Sequence, residues 1–164
     1  WRHVRALRPQ TTLLLMGGMA GEEALAKHIR REGLDGLIEI FKPAEGWVPF
    51  EEYVRRIKSA RVLFAPSHEE GWGIAVCEAM ACGLPVVAYD LPVYRRVYGS
   101  ALATVGEGDH RAFAERLCRV LDDTEMFSRL AEAGWQCAAK YDWDAVARSD
   151  WEQLAAVAAE NGGR

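Results

Sequence analysis

Two glutamates flank a short glycine-rich segment that could bind an extended polar ligand. Glu70 and Glu78 are separated by seven residues, and Gly71 and Gly73 lie between them. Because glycine has no Cβ atom, the backbone at these two positions can come close to a ligand. Carboxylates on either side of such a turn can accept hydrogen bonds from hydroxyl groups at different points of one elongated molecule.

The residues after the glycines are predicted to begin a helix that spans residues 73–82. The first N–H groups of a helix have no partners within it, and the helix dipole is positive at that end. An anionic or hydroxyl-rich ligand would find hydrogen-bond donors there. Glu78 would lie about 7.5 Å along the helix axis from its start. This spacing suits a nucleotide diphosphate sugar, which has a ribose diol at one end and a hexose at the other.

The elements around this segment alternate between apolar strands and amphipathic helices. Strands are predicted over residues 11–16, 37–41, 61–65, 85–89 and 102–105. Helices are predicted over residues 1–7, 21–31, 49–59, 73–82, 109–121, 123–140 and 142–159, the last three opening with the capping residues Asp109, Asp123 and Asp142. The alternation predicts an α/β fold with a doubly wound, Rossmann-like parallel sheet. Ligands bind at the carboxyl ends of such strands, where residues 66–72 are predicted to lie.

Composition excludes several other classes of protein. The chain has 164 residues, enough for one domain with its own core, and 50% of them are hydrophobic. A net charge of −4 gives no basic surface for nucleic acid. The apolar runs are too short to span a bilayer. The cysteines lack metal-ligand spacing, so no metal site is expected, and they are interpreted as buried thiols in a reducing cytoplasm: Cys77, Cys82, Cys118 and Cys137.

The segment containing the two glutamates closely resembles the Glu-x7-Glu signature of retaining glycosyltransferases with the GT-B fold. Glu70-Gly71-Trp72-Gly73 matches the family's Glu-Gly-aromatic-Gly turn, and residues 78–87, Glu-Ala-Met-Ala-Cys-Gly-Leu-Pro-Val-Val, match its continuation. Further similarity is found in residues 13–18, 46–49 and 141–143. The resemblance therefore implies that residues 1–164 form the C-terminal, nucleotide-sugar-binding domain of a longer two-domain enzyme.

The resemblance also implies a role for each matching residue. Glu70 would touch the transferred sugar near the reaction centre, and Glu78 would accept hydrogen bonds from the ribose hydroxyls of the donor. The other implied donor-binding positions are Gly71, Trp72, Gly73 and Ile74 around the sugar and diphosphate, Gly17 and Gly18 near the phosphates, and Trp47 and Val48 beside the base. No metal or other cofactor is expected, because backbone donors and positive charge stabilise the leaving diphosphate in this family.

Two departures from the family pattern are expected to matter. The family's Arg and Lys that neutralise the diphosphate follow the first strand of this domain, which would precede Trp1. The sheet is therefore expected to lack its first strand, and the isolated chain is expected to bind nucleotide weakly and to be inactive. Arg96 stands where the family usually has a glutamate. The expected partners are the nucleotide-sugar donor and the N-terminal half of the same protein. An association with the cytoplasmic face of the membrane is expected only through that half.

Other interpretations of the same residues remain open. The chain could be a non-catalytic nucleotide-binding or regulatory module of the same fold, or half of a sugar-nucleotide epimerase. The two glutamates could be solvated carboxylates at a helix start, where the dipole favours them. Trp72 and Trp47 could be packing residues, and His68 could be either an acid–base group or an ordinary surface histidine.

Overall fold

The computed structural model describes residues 1–16, 21–41 and 48–161. The strands are β1 (Leu13–Met16), β2 (Ile38–Phe41), β3 (Leu63–Ala65), β4 (Val86–Tyr89) and β5 (Ala103–Val105). The helices are α1 (Arg2–Leu7), α2 (Glu22–Arg31), α3 (Phe50–Ser59), α4 (Ile74–Ala81), α5 (Pro92–Val97), α6 (His110–Asp122), α7 (Thr124–Ala138) and α8 (Trp143–Asn161). A short 3₁₀ turn, Gly99–Ala101, follows α5. The predicted elements are all present, and no bound differs by more than two residues.

Helix α5 is the element that the sequence pattern does not predict. It has only six residues, too few to show a helical repeat of apolar positions. Pro92 lies in its first turn, where the missing N–H group costs no hydrogen bond. Val93 and Tyr94 are buried, so packing against the rest of the domain stabilises this short helix.

The strands form two parallel sheets, with the order β1–β2 in one and β3–β4–β5 in the other. Every residue of β4 is buried, as expected for a central parallel strand, whereas every residue of β1 is partly exposed. Among the described residues, β1 and β3 each pair with one strand only. The expectation that the sheet lacks its first strand stays a prediction.

The hydrophobic core surrounds β4 and fixes the position of α4. Val86, Val87 and Met80 have no exposed surface. A Cβ atom on Gly134 of α7 would lie 3.1 Å from Cγ of Met80, which shows how closely α7 approaches α4. The turn at the start of α4 is therefore attached to the most rigid part of the domain.

Helix α8 extends from this core with exposed side chains, among them Trp143 (75% exposed) and Trp151 (72% exposed). It is the longest helix of the described residues. Within the described residues, no helix combines the length and the hydropathy that a membrane crossing requires.

The predicted aspartate caps are confirmed for α6 and α7, and their removal should destabilise the domain. Asp109 accepts a hydrogen bond of 2.9 Å from the N–H of Ala112, and Asp123 accepts one of 2.9 Å from the N–H of Met126. Asp109→Ala and Asp123→Ala are each expected to lower the free energy of unfolding by about 1 kcal/mol, because a helix N–H group loses its acceptor. Chemical denaturation measures the change. Asp150→Ala, at an exposed position inside α8, is the matched control, and equal losses in all three variants would contradict the capping role.

Candidate functional site

The turn between β3 and α4 requires glycine at its last position. Gly73 is the N-cap of α4 and has a φ of +89°, a conformation that residues with a Cβ atom rarely adopt. A Cβ atom there would lie 2.8 Å from Cε1 of Tyr94, which is closer than any normal contact. Gly71 is exposed and has open space where a Cβ atom would be. The backbone conformation therefore requires glycine at position 73. Gly71, in contrast, leaves its side of the turn open to a ligand.

Two tyrosines that follow the next strand hold this turn in place. The Tyr98 hydroxyl donates a hydrogen bond of 2.8 Å to the carbonyl oxygen of Gly73, in a buried position. The Tyr94 ring lies against Gly73 from α5. Because both tyrosines are almost completely buried, the turn cannot shift without disturbing the core. Sequence reasoning missed them, since each lies more than twenty residues after the turn.

The Trp72 side chain packs within the protein. Its ring centroid lies 5.6 Å from that of Tyr98 and 4.8 Å from that of Tyr141, in both cases with an edge-to-face arrangement. The interpretation of this side chain as a packing residue is therefore supported by its contacts. The predicted ligand contact of this residue involves its backbone N–H group, which that packing leaves unchanged.

The first N–H groups of α4 are available for a ligand. The earliest hydrogen bonds of the helix run from the N–H groups of Val76 and Cys77 to the carbonyl oxygen of Gly73. The N–H groups of Ile74 and Ala75 precede these bonds and point out of the helix start. Both residues are exposed, so a ligand can reach this end of the helix.

Glu70 lies in the turn itself and is held by its own loop. The hydroxyl group of Ser67 donates a hydrogen bond of 3.0 Å to Oε1 of Glu70, whose side chain is half-buried. The buried hydroxyl group of Tyr94 is nearby. Burial, and secondarily the negative charge of Glu70, raise the pKa of Tyr94. This hydroxyl therefore stays protonated beside the carboxylate.

Glu78 lies inside α4 and is held by a different helix. The Tyr53 hydroxyl donates a hydrogen bond of 2.6 Å to Oε2 of Glu78. Burial, followed by this hydrogen bond, strongly raises the pKa of Tyr53. The sequence pattern predicts the helix of residues 49–59 that carries Tyr53, but no partner for its hydroxyl group. Each predicted site carboxylate thus has an ordered donor of its own.

Of the remaining predicted site residues, Val48 alone lies among the described residues. Val48 is half-buried and directly precedes Pro49, the N-cap of α3. Arg96 is exposed on α5, next to Arg95, which makes two hydrogen bonds of 2.6 Å to Asp90. The predicted positions Gly17, Gly18 and Trp47 lie outside the described residues.

His68 belongs to a separate polar cluster beside the turn. Its Nδ1 atom lies 2.9 Å from Oε1 of Glu107, and its ring centroid lies 5.2 Å from that of Tyr89, with the two rings tilted by 43°. The Tyr89 hydroxyl lies 2.7 Å from Nδ1 of His110. His68, Tyr89 and His110 line a cavity of about 230 Å³ that Glu70 and Glu78 do not line. In the part of the chain that the structure describes, no group of three or more His, Cys, Asp or Glu residues could hold a metal ion.

Known proteins match this chain in sequence. The profile of the family described as glycosyl transferases group 1 matches residues 1–136. The chain is 31% identical over 148 residues to the D-inositol 3-phosphate glycosyltransferase of Frankia alni, covering 81% of this chain and 35% of that protein. It is 36% identical over 132 residues to the phosphatidyl-myo-inositol mannosyltransferase of Mycobacterium leprae, covering 79% and 34%. The chain spans about a third of the length of these curated relatives.

Solved structures match its fold. The sucrose-phosphate synthase of Thermosynechococcus elongatus aligns with a TM-score of 0.81 at 24% identity, covering 96% of this chain and 41% of that one. Anabaena Alr3699/HepE in complex with UDP-glucose aligns with a TM-score of 0.78 at 22% identity, covering 93% and 44%. The C-terminal domain of a group 1 family protein from Francisella tularensis (LpcC) aligns with a TM-score of 0.70 at 17% identity, covering 84% and 75%. These matches confirm the predicted α/β, Rossmann-like fold class.

Proposed function

Because this chain belongs to the group 1 family of glycosyl transferases, we propose that it binds the donor of a retaining glycosyltransferase. The donor is a nucleotide diphosphate sugar, and the full-length protein transfers its sugar to an acceptor. The observation that carries this proposal is the start of α4, where free N–H groups lie between two ordered carboxylates, Glu70 and Glu78. The expected retention of anomeric configuration rests on the resemblance of this segment to the Glu-x7-Glu signature.

Each part of the site matches one part of the donor. Transfer breaks the bond between the anomeric carbon of the sugar and an oxygen of the diphosphate, while an acceptor hydroxyl oxygen bonds to that carbon and its proton passes to the leaving diphosphate. The leaving diphosphate gains negative charge, which the N–H groups of Ile74 and Ala75 and the helix dipole stabilise. Glu70 lies beside the anomeric carbon and its carboxylate stabilises the positive charge that develops there. Glu78 holds the ribose.

Three further parts of this proposal concern the place where the acceptor binds, the cellular compartment and the need for a metal ion. The chain spans only about a third of its curated relatives, so the acceptor is proposed to bind to another part of the full-length protein. The four cysteines are free thiols, which favours a reducing compartment such as the cytoplasm. The site is proposed to work without a metal ion, since backbone donors serve the diphosphate.

Isothermal titration with UDP, GDP and ADP tests donor binding. We expect one of the three to bind with a Kd below about 1 mM and Glu78→Gln to weaken that binding by about tenfold, because a hydrogen bond to a charged acceptor is lost. Glu115→Gln is the matched control, since Glu115 is exposed on α6 and pairs with Arg111. If none of the three nucleotides gives heat at millimolar concentration, the proposed function is wrong.

A further inference from the structure

The contact between Tyr53 and Glu78 has the geometry of a strong hydrogen bond. The hydroxyl oxygen lies 2.6 Å from Oε2 of the carboxylate, which is the range for a charge-assisted O–H···O⁻ bond. Burial and this bond both raise the pKa of Tyr53, so the hydroxyl group stays protonated and donates throughout the neutral pH range. A donor of this kind restricts the side-chain torsions of Glu78.

Helix α3 holds the Tyr53 ring in a fixed position. Ile57, one helical turn further on, is 7% exposed and belongs to the core. The guanidinium group of Arg56 lies 3.5 Å above the Phe41 ring and its Nε atom donates a hydrogen bond of 2.6 Å to Glu52. The Tyr53 ring itself packs against the core. The hydroxyl group is therefore held in position by α3 before any ligand binds.

The hydrogen bond leaves one side of the carboxylate for a ligand. Oε2 of Glu78 is engaged by Tyr53, while Oε1 and the remaining lone pairs can still accept hydrogen bonds. If the carboxylate rotated freely, it could turn to meet whichever hydroxyl group a ligand offered. A fixed carboxylate instead meets a ligand hydroxyl at one place only.

We propose that Tyr53 is a positioning residue that fixes the Glu78 carboxylate and thereby makes the site selective for ribonucleotides over deoxyribonucleotides. This inference rests on the proposed function, since it assigns Glu78 to the donor ribose. A nucleotide that lacks one ribose hydroxyl leaves the fixed carboxylate oxygen without a donor, and a site built around that donor rejects such an analogue. Without Tyr53, the Glu78 carboxylate can turn towards solvent or towards the other ribose hydroxyl group. The site then discriminates less between ribonucleotides and deoxyribonucleotides.

Tyr53→Phe in the full-length protein tests this inference. The Kd is measured for the nucleoside diphosphate that binds best and for its 2′-deoxy and 3′-deoxy analogues. The wild-type protein is expected to bind the ribonucleotide at least tenfold more tightly than one of the analogues. Tyr53→Phe is expected to weaken ribonucleotide binding by about fivefold and to change analogue binding by less than twofold. The ratio of the analogue Kd to the ribonucleotide Kd therefore falls.

Tyr89→Phe is the matched control for this variant. It also removes one hydroxyl group from a largely buried tyrosine. The hydroxyl oxygen of Tyr89 lies 2.7 Å from Nδ1 of His110, in the polar cluster that contains His68. We expect it to leave both the ribonucleotide Kd and the discrimination ratio unchanged. Thermal unfolding of both variants separates a loss of stability from a loss of discrimination.

A double-mutant cycle gives a second measurement if Tyr53→Phe destabilises the domain. In the Glu78→Gln background, Tyr53→Phe should change the ribonucleotide Kd by less than twofold, because the group that it positions is already altered. If the wild type discriminates between ribose and deoxyribose and Tyr53→Phe keeps the ratio, the positioning role is wrong and the proposed function stands. If the wild-type protein binds no nucleotide, both proposals are wrong.

Discussion

Glu70→Ala in the full-length protein is expected to reduce sugar transfer by a factor of about 100 or more and to change the Kd of the nucleotide by less than twofold. The carboxylate lies in the turn before α4 and accepts a hydrogen bond from Ser67. In the proposed function, its negative charge stabilises positive charge that is present at the anomeric carbon only in the transition state. Removing a preorganised electrostatic contact of this kind typically costs two to three orders of magnitude in rate.

Neighbouring residues supply the controls for this prediction. Glu69→Ala removes an exposed carboxylate from the adjacent position and is expected to leave transfer unchanged. Ser67→Ala removes the donor to Oε1 of Glu70 and is expected to reduce transfer by less than tenfold. Transfer is measured as product formed from the nucleotide sugar and acceptor. Unchanged transfer in Glu70→Ala would favour a non-catalytic module, and an epimerised nucleotide sugar as the product would favour an epimerase.

Gly73→Ala is expected to destabilise the domain by about 2–5 kcal/mol and to lower its Tm by about 5–20 °C. The positive φ of +89° makes any Cβ atom unfavourable there, at a cost of about 1–2 kcal/mol. The added atom would also lie 2.8 Å from Cε1 of Tyr94, which is 1% exposed and has no space to move aside. Overpacking of a core in this way costs about 1–3 kcal/mol. Thermal and chemical denaturation measure the loss.

Gly108→Ala separates the two causes of this destabilisation. Gly108 has a φ of +76°, but a Cβ atom there would meet no atom within 4 Å. This variant should therefore show only the conformational cost, about 1–2 kcal/mol. Equal losses in Gly73→Ala and Gly108→Ala would contradict the close contact with Tyr94. In the full-length protein we also expect transfer to fall in Gly73→Ala and not in Gly108→Ala, because only Gly73 orients the start of α4.

Local features of the fold could be predicted from the sequence, because each depends on neighbouring residues. The strand Val86–Tyr89 is a continuous apolar run, and Asp109 and Asp123 precede apolar helical repeats that they cap. The turn with Glu70 and Gly73 lies between a predicted strand and a predicted helix. Periodicity and capping rules are sufficient for these elements.

Contacts between distant parts of the chain could not be predicted in this way. Tyr53 and Glu78, like Tyr98 and Gly73, are 25 residues apart, and His68 and Glu107 are 39 residues apart. Nothing in the residues next to Tyr53 indicates that its hydroxyl group meets a carboxylate rather than water. The strand pattern likewise predicts five strands but not which of them pair, so the division into two sheets appears only in the structure.

A crystal structure of the full-length protein with its nucleotide diphosphate sugar bound tests the central claim most directly. The account predicts that the diphosphate lies at the start of α4, that a ribose hydroxyl lies within about 3 Å of Glu78 Oε1, and that Glu70 faces the sugar. A donor bound elsewhere, for example in the cavity that Trp1, His68 and His110 line, would contradict it.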